Sequence, residues 1–254
     1  MLLAIDVGNS NITLGVFQGD ALKFVARIAT DKAKTGDQYA IELRDMVDLY
    51  GVSTEDFSGA IISSVVPVLA SSLKQAVTKL TGFTPIVLGP GIKTGLNIKI
   101  DNPGQLGADL VAGAVAAIHL YPCPCIIYDL GTATTITVID KNQNFIGGAI
   151  CAGIAISLDA LVTRTAQLPQ ISIETPDSAI GKNTIDSMKS GLVFGQAALL
   201  DGMTERMEDQ LGEKATVIAT GGLAKEIVAN CKRNIVYSDN LILLGLKMIY
   251  DKNK

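Results

Sequence analysis

The chain has 254 residues and a formal net charge of −4, and it is 48% hydrophobic and 18% charged. This length suits one large or two compact domains, and the composition is typical of a folded globular protein and excludes extended disorder. Because nucleic-acid-binding proteins carry a basic surplus or a clustered basic face, the acidic balance argues against nucleic acid as a partner.

The start of the chain and the cysteines indicate a cytoplasmic protein with reduced thiols. The carboxylate of Asp6 interrupts the first apolar run too early for a signal peptide, and no apolar run of about 18 residues follows, so we expect no membrane segment. The four cysteines are too few and too irregular for a disulfide framework. Cys123 and Cys125 lack the second pair of ligands that a zinc site needs.

The first half of the chain predicts a three-stranded meander followed by alternating helices and strands. Strands are expected over residues 2–5, 12–17 and 22–29, with turns between them. Helical patterns follow over residues 38–50 and 67–81, and a strand is expected between them over residues 59–63. This order indicates an α/β sheet covered by helices.

A helix that begins near residues 104–107 is almost wholly apolar, yet it carries Asp109. The carboxylate can complement the positive end of the helix, or it can act as a base that orients a substrate hydroxyl toward a phosphate. Burial would raise its pKa, which suits a base. His119 lies ten residues later on roughly the opposite side of the helix, so we expect a structural role for it.

The strand pattern restarts near residue 125. Strands are expected over residues 125–128, 134–140 and 145–150. The segments DVGNSNITLGVF (6–17) and DLGTATTITVID (129–140) share Asp, an apolar residue, Gly, polar side chains and an alternating strand, at an offset of 123 residues. The repeat predicts two similar domains, residues 1–121 and 122–254, that meet near the prolines of segment 121–124.

Each Asp-x-Gly hairpin has the features of a phosphate site. The strand fixes the Asp at its end, where it can hold Mg²⁺, and the Gly lets backbone N–H groups approach phosphate oxygens. One such hairpin is equally well a plain strand end, but two copies favour a phosphate clamp. A strand over residues 215–219 precedes Gly221 and Gly222 and a helix over residues 223–230, which fits a nucleotide contact or a simple turn.

Other nucleotide-binding motifs are excluded by the sequence. No G-x-G-x-x-G follows a predicted strand, which argues against a dinucleotide-binding fold. The segment GKNT at residues 181–184 has Asn after Lys and lacks the upstream Gly of a P-loop. Thr184 opens a helical stretch, where its hydroxyl can cap the helix or contact a ligand.

The combination of motifs resembles the type III pantothenate kinases of the acetate kinase, sugar kinase, heat-shock chaperone and actin superfamily. The matching segments are DVGNSN (6–11), DNPGQLGAD (101–109), DLGTATT (129–135), RTAQLPQI (164–171), AIGKNTIDSMKSG (179–191) and TGGLA (220–224). The resemblance implies an α/β fold of two duplicated actin-like, ribonuclease H-like domains with mixed sheets flanked by helices. It also implies transfer of the γ-phosphate of ATP to pantothenate in the first step of coenzyme A biosynthesis, with Mg²⁺, a monovalent cation (K⁺ or NH₄⁺) and a homodimer.

The resemblance and the hairpin chemistry together assign the expected site residues. Asp109 is the expected proton acceptor, Asp129 the ligand of the monovalent cation and Asp6 the ligand of Mg²⁺. The expected ATP contacts are Asp6, Val7, Gly8, Asn9, Ser10, Asn11, Ile12, Thr13, Thr132, Gly221 and Gly222. The expected pantothenate contacts are Gly107, Ala108, Asp109, Leu110 and Thr184.

The sequence departs from the family pattern at three places. Leu110 replaces the usual Arg, Ile100 stands where Tyr is frequent, and the usual A-P-G reads CAG at residues 151–153. Pantothenate carries a carboxylate, and the guanidinium group of an Arg is its natural partner. With Leu at residue 110, either Lys182 or a backbone amide binds this carboxylate, or the acceptor is a different hydroxyl compound.

A non-catalytic regulatory protein of the same fold, such as a transcriptional accessory factor, is a further alternative. The acidic balance of the chain argues against direct contact with DNA. The presence of an Asp at positions 6, 109 and 129 argues against a catalytically inactive site.

Overall fold

The computed structural model describes all 254 residues. The strands in chain order are β1 (Leu2–Val7), β2 (Asn11–Gln18), β3 (Ala21–Ala29), β4 (Gly59–Ser64), β5 (Ile86–Val87), β6 (Asn97–Ile98), β7 (Cys125–Leu130), β8 (Ala133–Ile139), β9 (Asn144–Ala152), β10 (Thr216–Thr220) and β11 (Val236–Tyr237). The helices are α1 (Gly36–Leu49), α2 (Pro67–Thr81), α3 (Ala108–Leu120), α4 (Ile154–Arg164), α5 (Thr184–Leu211), α6 (Ala224–Val228) and α7 (Leu241–Lys252). No helix combines the length and the apolar character that a membrane span requires.

The chain forms two compact units whose ranges differ from the predicted domains at residues 97–101, 117–121 and 241–254. The first unit comprises residues 1–96, 102–116 and 241–254, and the second comprises residues 97–101 and 117–240. Residues 241–254 belong to the first unit because α7 packs on β1 and β4. Residues 97–101 belong to the second unit because β6 pairs with β9. The two segments therefore follow their sheet partners rather than their position in the sequence.

The first unit is a mixed sheet with the strand order β3-β2-β1-β4-β5. The pairs β1/β2 and β2/β3 are antiparallel, as the meander predicted, and β4 and β5 run parallel to β1. One face packs against α1 and α2 around fully buried side chains such as Leu43 and Leu73. Helix α1 begins with a capping box between Thr35 and Gln38, and α2 ends at Gly82, whose φ of 78° is the left-handed conformation that glycine adopts without strain.

The second unit repeats this arrangement. Its strand order is β11-β10-β7-β8-β9-β6, in which β7, β8 and β9 form an antiparallel meander and β10 and β11 run parallel to β7. The order β9-β8-β7-β10-β11 therefore matches the order β3-β2-β1-β4-β5 of the first unit. The predicted fold class, α/β with two mixed sheets flanked by helices, is confirmed.

The two Asp-x-Gly hairpins differ in the length of their turns. Three residues separate β1 from β2, whereas two residues separate β7 from β8. As a result Asp6 pairs with Thr13, seven positions later, while Asp129 pairs with Thr135, six positions later. The segments that begin at Asp6 and Asp129 therefore align at an offset of 123 residues only before their turns.

Candidate active site

Asp6 lies near the end of β1 between two hydroxyl residues. It is in register with Thr13 of β2 and with Ser63 of β4. Residues in register on neighbouring strands project from the same face of a sheet, and this face is opposite to the one that carries the core residues Leu3 and Ile5. The partly exposed carboxylate of Asp6 is thus flanked by oxygen donors, the ligands that hard cations prefer.

Thr30, which follows β3, braces the turn after Asp6. Its hydroxyl donates to the carbonyl oxygen of Gly8 over 2.7 Å, and its N–H donates to the carbonyl oxygen of Ser10 over 3.0 Å. The N–H of Gly8 donates to the carbonyl oxygen of Asn11 over 2.9 Å and closes the turn. Thr30 was not among the predicted site residues, although a threonine directly after a predicted strand that ends at residue 29 is a signal for such a bond.

The predicted phosphate loop contains residues of two kinds. The side chains of Val7 and Ile12 are fully buried in the core, so any contact they make with ATP would be through the backbone. Asn9, Ser10 and Asn11 are exposed and carry polar side chains. The polar middle of the loop is therefore the part whose side chains can reach a phosphate.

Asp109 lies in the first turn of α3 and is the only acid in that helix. The residues that follow it, 111–117, are all buried. Burial raises the pKa of Asp109, and the N–H of Leu110, which donates to Oδ1 over 2.8 Å, partly offsets this rise. The carboxyl group therefore has the environment that was predicted for a base, and its position also suits the positive end of the helix.

Gly107 and Val65 place Asp109 at the same edge of the sheet as the Asp6 hairpin. A Cβ on Gly107 would collide with Oδ1 of Asp109 and would lie 3.6 Å from Cγ1 of Val65. Val65 follows β4, and its N–H donates to the carbonyl oxygen of Val7 over 3.1 Å. In the first unit the predicted base and the predicted phosphate loop are thus neighbours.

In the second unit Asp129 has the same surroundings as Asp6. It is in register with Thr135 of β8 and with Thr220 of β10, so a carboxylate again has a hydroxyl residue on each side. Both carboxylates are partly exposed. No cluster of three or more His, Cys, Asp or Glu side chains that could hold a metal ion occurs in the chain. A cation at either Asp would therefore need oxygen ligands from hydroxyls, backbone, water or phosphate.

Two glycines bring neighbouring segments against the turn that follows Asp129. A Cβ on Gly221 would lie 2.6 Å from the carbonyl oxygen of Leu130, and the φ of Gly221 is 103°, a conformation that disfavours other residues. A Cβ on Gly153, directly before α4, would collide with the carbonyl oxygen of Thr132. The predicted ATP contacts Thr132, Gly221 and Gly222 are therefore brought together, and the departure at residues 151–153 retains the glycine that this packing requires.

A cavity of about 940 Å³ lies in the second unit between α4, the loop after it and the start of α5. It joins two segments that the sequence analysis singled out separately, RTAQLPQI and GKNT. Arg164, Lys182 and Thr184 line it, and neither cation has an ion pair or a hydrogen bond. Asn183 caps α5 by accepting the N–H of Asp186 over 2.9 Å. The hydroxyl of Thr184 is thus not needed as the cap.

The departures Leu110 and Ile100 are both partly buried. Leu110 contributes its N–H to Asp109 and brings no cation to the start of α3. The cations of the second-unit cavity, Arg164 and Lys182, were not predicted together, because the sequence gives no sign that residues 18 positions apart line one cavity.

The amino-acid sequence matches the family model of type III pantothenate kinase over residues 2–206. A type III pantothenate kinase from Halalkalibacterium halodurans is 47% identical over 253 residues, which is 100% of both chains.

Two solved structures share the fold at much lower identity. A Campylobacter jejuni protein described as a Baf family transcriptional activator has a TM-score of 0.62 at 21% identity and covers 99% of this chain and 98% of that one. The activator of 2-hydroxyisocaproyl-CoA dehydratase from Clostridium difficile, solved with bound ADPNP, has a TM-score of 0.54 at 11% identity and covers 99% and 94%. These likenesses support the actin-like fold and carry no argument about activity. From the family model and the full-length relative, the chain belongs to the type III pantothenate kinase family.

Proposed function

We propose that this protein transfers the γ-phosphate of ATP to the hydroxyl of pantothenate and that Asp109 is its catalytic base. The hydroxyl oxygen attacks the γ-phosphorus, the bond from that phosphorus to the bridging oxygen of ADP breaks, and the hydroxyl proton passes to the Asp109 carboxylate. The observation that carries this proposal is a lone acid with a raised pKa, in the first turn of α3, beside the Asp6 hairpin. A base of this kind contributes about 10²- to 10⁴-fold to a rate.

We assign the phosphates of ATP to the turn after Asp6, and we assign Thr132, Gly221 and Gly222 of the second unit as further ATP contacts. The supporting features are the exposed polar side chains of residues 9–11, the bracing of the first turn by Thr30, and the packing of Gly221 on the second hairpin. Asp6 fits Mg²⁺, because this ion is usually held by one or two carboxylates and substrate phosphates rather than by a cage of protein ligands. Bound there, Mg²⁺ neutralises charge on the phosphate oxygens.

Asp129 is the proposed ligand of the monovalent cation, K⁺ or NH₄⁺. Its neighbours Thr135 and Thr220 supply oxygen atoms on the same face of the sheet, which suits a weakly polarising cation. The expected result is a phosphorylation rate that rises when K⁺ or NH₄⁺ replaces Na⁺ in the wild-type protein. The Asp129→Asn variant should lose most of that dependence.

The cavity of the second unit is the proposed site for the carboxylate of pantothenate. Thr184 lines this cavity, and Arg164 and Lys182 supply two positive charges that no carboxylate of the protein neutralises. An acid bound there would gain charge-assisted hydrogen bonds. If the carboxylate binds there, Arg164 and Lys182 would take the place of the Arg that Leu110 replaces.

We also propose that the protein is a homodimer that forms through the second unit. Large aliphatic side chains are exposed on β9 and on the segment before α5, where Ile150 is 76% exposed and Ile180 is 81% exposed. Apolar side chains mark protein contacts where several are exposed on one surface, and Ile146, which is also exposed, lies on the same face of β9 as Ile150. The double variant Ile150→Asp/Ile180→Asp should halve the molar mass measured by light scattering. Leu49→Asp, at a position in the first unit that is also 76% exposed, is the matched control.

The activity is tested by ADP release coupled to a dehydrogenase assay, with and without pantothenate. ADP release should require pantothenate and should fall at least about 100-fold in Asp109→Asn. Asp48→Asn, which changes an exposed acid on α1, should retain the wild-type rate. ADP release that does not depend on pantothenate, or an Asp109→Asn variant with the wild-type rate, would contradict the proposal.

A further inference from the structure

Ser63 carries a buried hydroxyl group without a partner. The residue is 0% exposed, and its Oγ forms no hydrogen bond in the protein. A buried hydroxyl that makes no hydrogen bond costs free energy, whereas a methyl group at the same place does not. The fold alone therefore gives no reason for a serine at residue 63.

Ser64, the next residue along the chain, has a hydroxyl with a structural role. Oγ of Ser64 accepts the N–H of Val66 over 3.1 Å and donates to the carbonyl oxygen of the same residue over 3.1 Å. These bonds stabilise the turn from β4 into α2. Since Ser64 already supplies them, the hydroxyl of Ser63 is not needed for the turn.

Ser63 lies beside Asp6 at the end of the sheet. The two residues are in register on the parallel strands β1 and β4, and their side chains share the face opposite to the core residue Ile62. The next residue, Val65, approaches Gly107 and so the start of α3. A ligand at the Asp6 hairpin would therefore lie within reach of the unpartnered hydroxyl.

The second unit also has an unpartnered hydroxyl beside its Asp, on a different strand. Thr135 is in register with Asp129, and its Oγ1 is likewise buried without a hydrogen bond. Thr135 lies on β8, which corresponds to β2 of the first unit, whereas Ser63 lies on β4, which corresponds to β10. In both units, a hydroxyl in register with the Asp is thus buried with no protein group to bond, and each such group calls for a partner outside the protein.

We propose that Ser63 is a positioning residue for the nucleotide. Its hydroxyl bonds either a phosphate oxygen of ATP or a water on the accompanying divalent cation when these lie at the Asp6 hairpin. The proposal rests on the assignment of the ATP phosphates to that hairpin. It adds a residue from β4, outside the loop of residues 6–13.

The experiment compares Ser63→Ala with Ser64→Ala in the full-length protein. Binding of Mg²⁺ with the non-hydrolysable analogue AMP-PNP is measured by calorimetry, and the Tm of the free protein is measured separately. Ser63→Ala should weaken binding about 10-fold and leave the Tm of the free protein equal or higher, because it removes an unpartnered group. Ser64→Ala should show the opposite pattern, with a lower Tm and unchanged binding.

Measuring AMP-PNP binding without Mg²⁺ distinguishes a bond from Ser63 to phosphate from a bond to the hydrated cation. A defect of Ser63→Ala that persists without Mg²⁺ indicates a bond to phosphate, and a defect that requires Mg²⁺ indicates a bond to the hydrated cation; both support the proposal. Unchanged binding of AMP-PNP, a lower Tm of the free protein, or failure of Ser63→Ala to fold would overturn it. If the wild-type protein itself does not bind the analogue, the proposed ATP site is wrong, which is a different result.

Discussion

The carboxylate of Asp109 occupies the space in which a side chain of Gly107 would lie. Because Oδ1 is the end of a rotatable side chain, Gly107→Ala should move the carboxylate away from its position without disturbing the backbone. We expect kcat to fall roughly 10- to 100-fold, since a small misplacement of a catalytic group is costly, while the Tm changes little. Gly104→Ala is the control, because a Cβ there meets no atom within 4 Å. Equal kcat values for the two variants would show that the position of the carboxylate does not limit the reaction.

Removal of the charge at residue 109 should stabilise the protein while it lowers the activity. Burial raises the pKa of Asp109 in the folded state, so its ionised form destabilises the fold at neutral pH. Asp109→Asn should therefore have a higher Tm than the wild type at pH 7. The difference should shrink as the pH falls through the raised pKa, because the wild-type carboxyl then becomes protonated. A lower Tm for Asp109→Asn at pH 7 would show that the carboxylate stabilises α3 instead.

The pH dependence of the rate should reflect the titration of the Asp109 carboxyl group. If Asp109 accepts the proton, kcat should decrease as the pH falls through its pKa, which burial places above the ordinary value of an aspartate. Leu110→Pro would remove the N–H that donates to Oδ1 but would also strain α3, so the rate profile of the wild type is the better measurement. A rate that stays constant down to the ordinary pKa of aspartate would contradict a role for a buried base.

The two cations of the second-unit cavity should control the preference for an acidic substrate. We compare kcat/KM for pantothenate with kcat/KM for its alcohol analogue, in which a hydroxymethyl group replaces the carboxylate. Arg164→Ala and Lys182→Ala should each lower this ratio roughly 10-fold, through KM rather than kcat. Lys141→Ala, in the exposed turn between β8 and β9, removes the same charge outside the cavity and should leave the ratio unchanged. An unchanged ratio in both cavity variants would place the carboxylate elsewhere.

Gly221 should be required for the fold of the second unit, and its neighbour should not. An alanine at residue 221 would meet the backbone of Leu130 and would have to keep a φ of 103°. We expect a loss of about 2 kcal/mol in the free energy of unfolding, measured by urea denaturation. Gly222→Ala should change it by less than about 0.5 kcal/mol, because nothing lies within 4 Å of the new methyl group.

The strands and the repeat could be predicted because alternating apolar residues and turn residues report local structure. The strands around both hairpins and the apolar helix with Asp109 are of this kind. The partners of Asp6 could not be predicted in full, because Ser63 reaches it through parallel pairing across 57 positions. The cavity around Lys182 and Arg164 likewise depends on how α4 meets α5, for which no local pattern exists.

The place of α7 in the first unit could not be predicted for a similar reason. Its apolar pattern is visible, but the sequence does not say which of two similar sheets it covers. Packing decides this: Gly15 of β2 leaves room for Leu243, and Gly245 lies against the backbone of Ala112 in α3. The glycines that permit these contacts are far apart in the sequence.

The place of α7 has a consequence for the order in which the chain can fold during synthesis. The first unit holds Asp6 and Asp109, yet residues 241–254 complete it only after all of the second unit has left the ribosome. Until then, the face of β1 and β4 on which α7 packs stays exposed. The half of the protein that is made first is thus the half that matures last, and a nascent chain would need protection of that face in the interval.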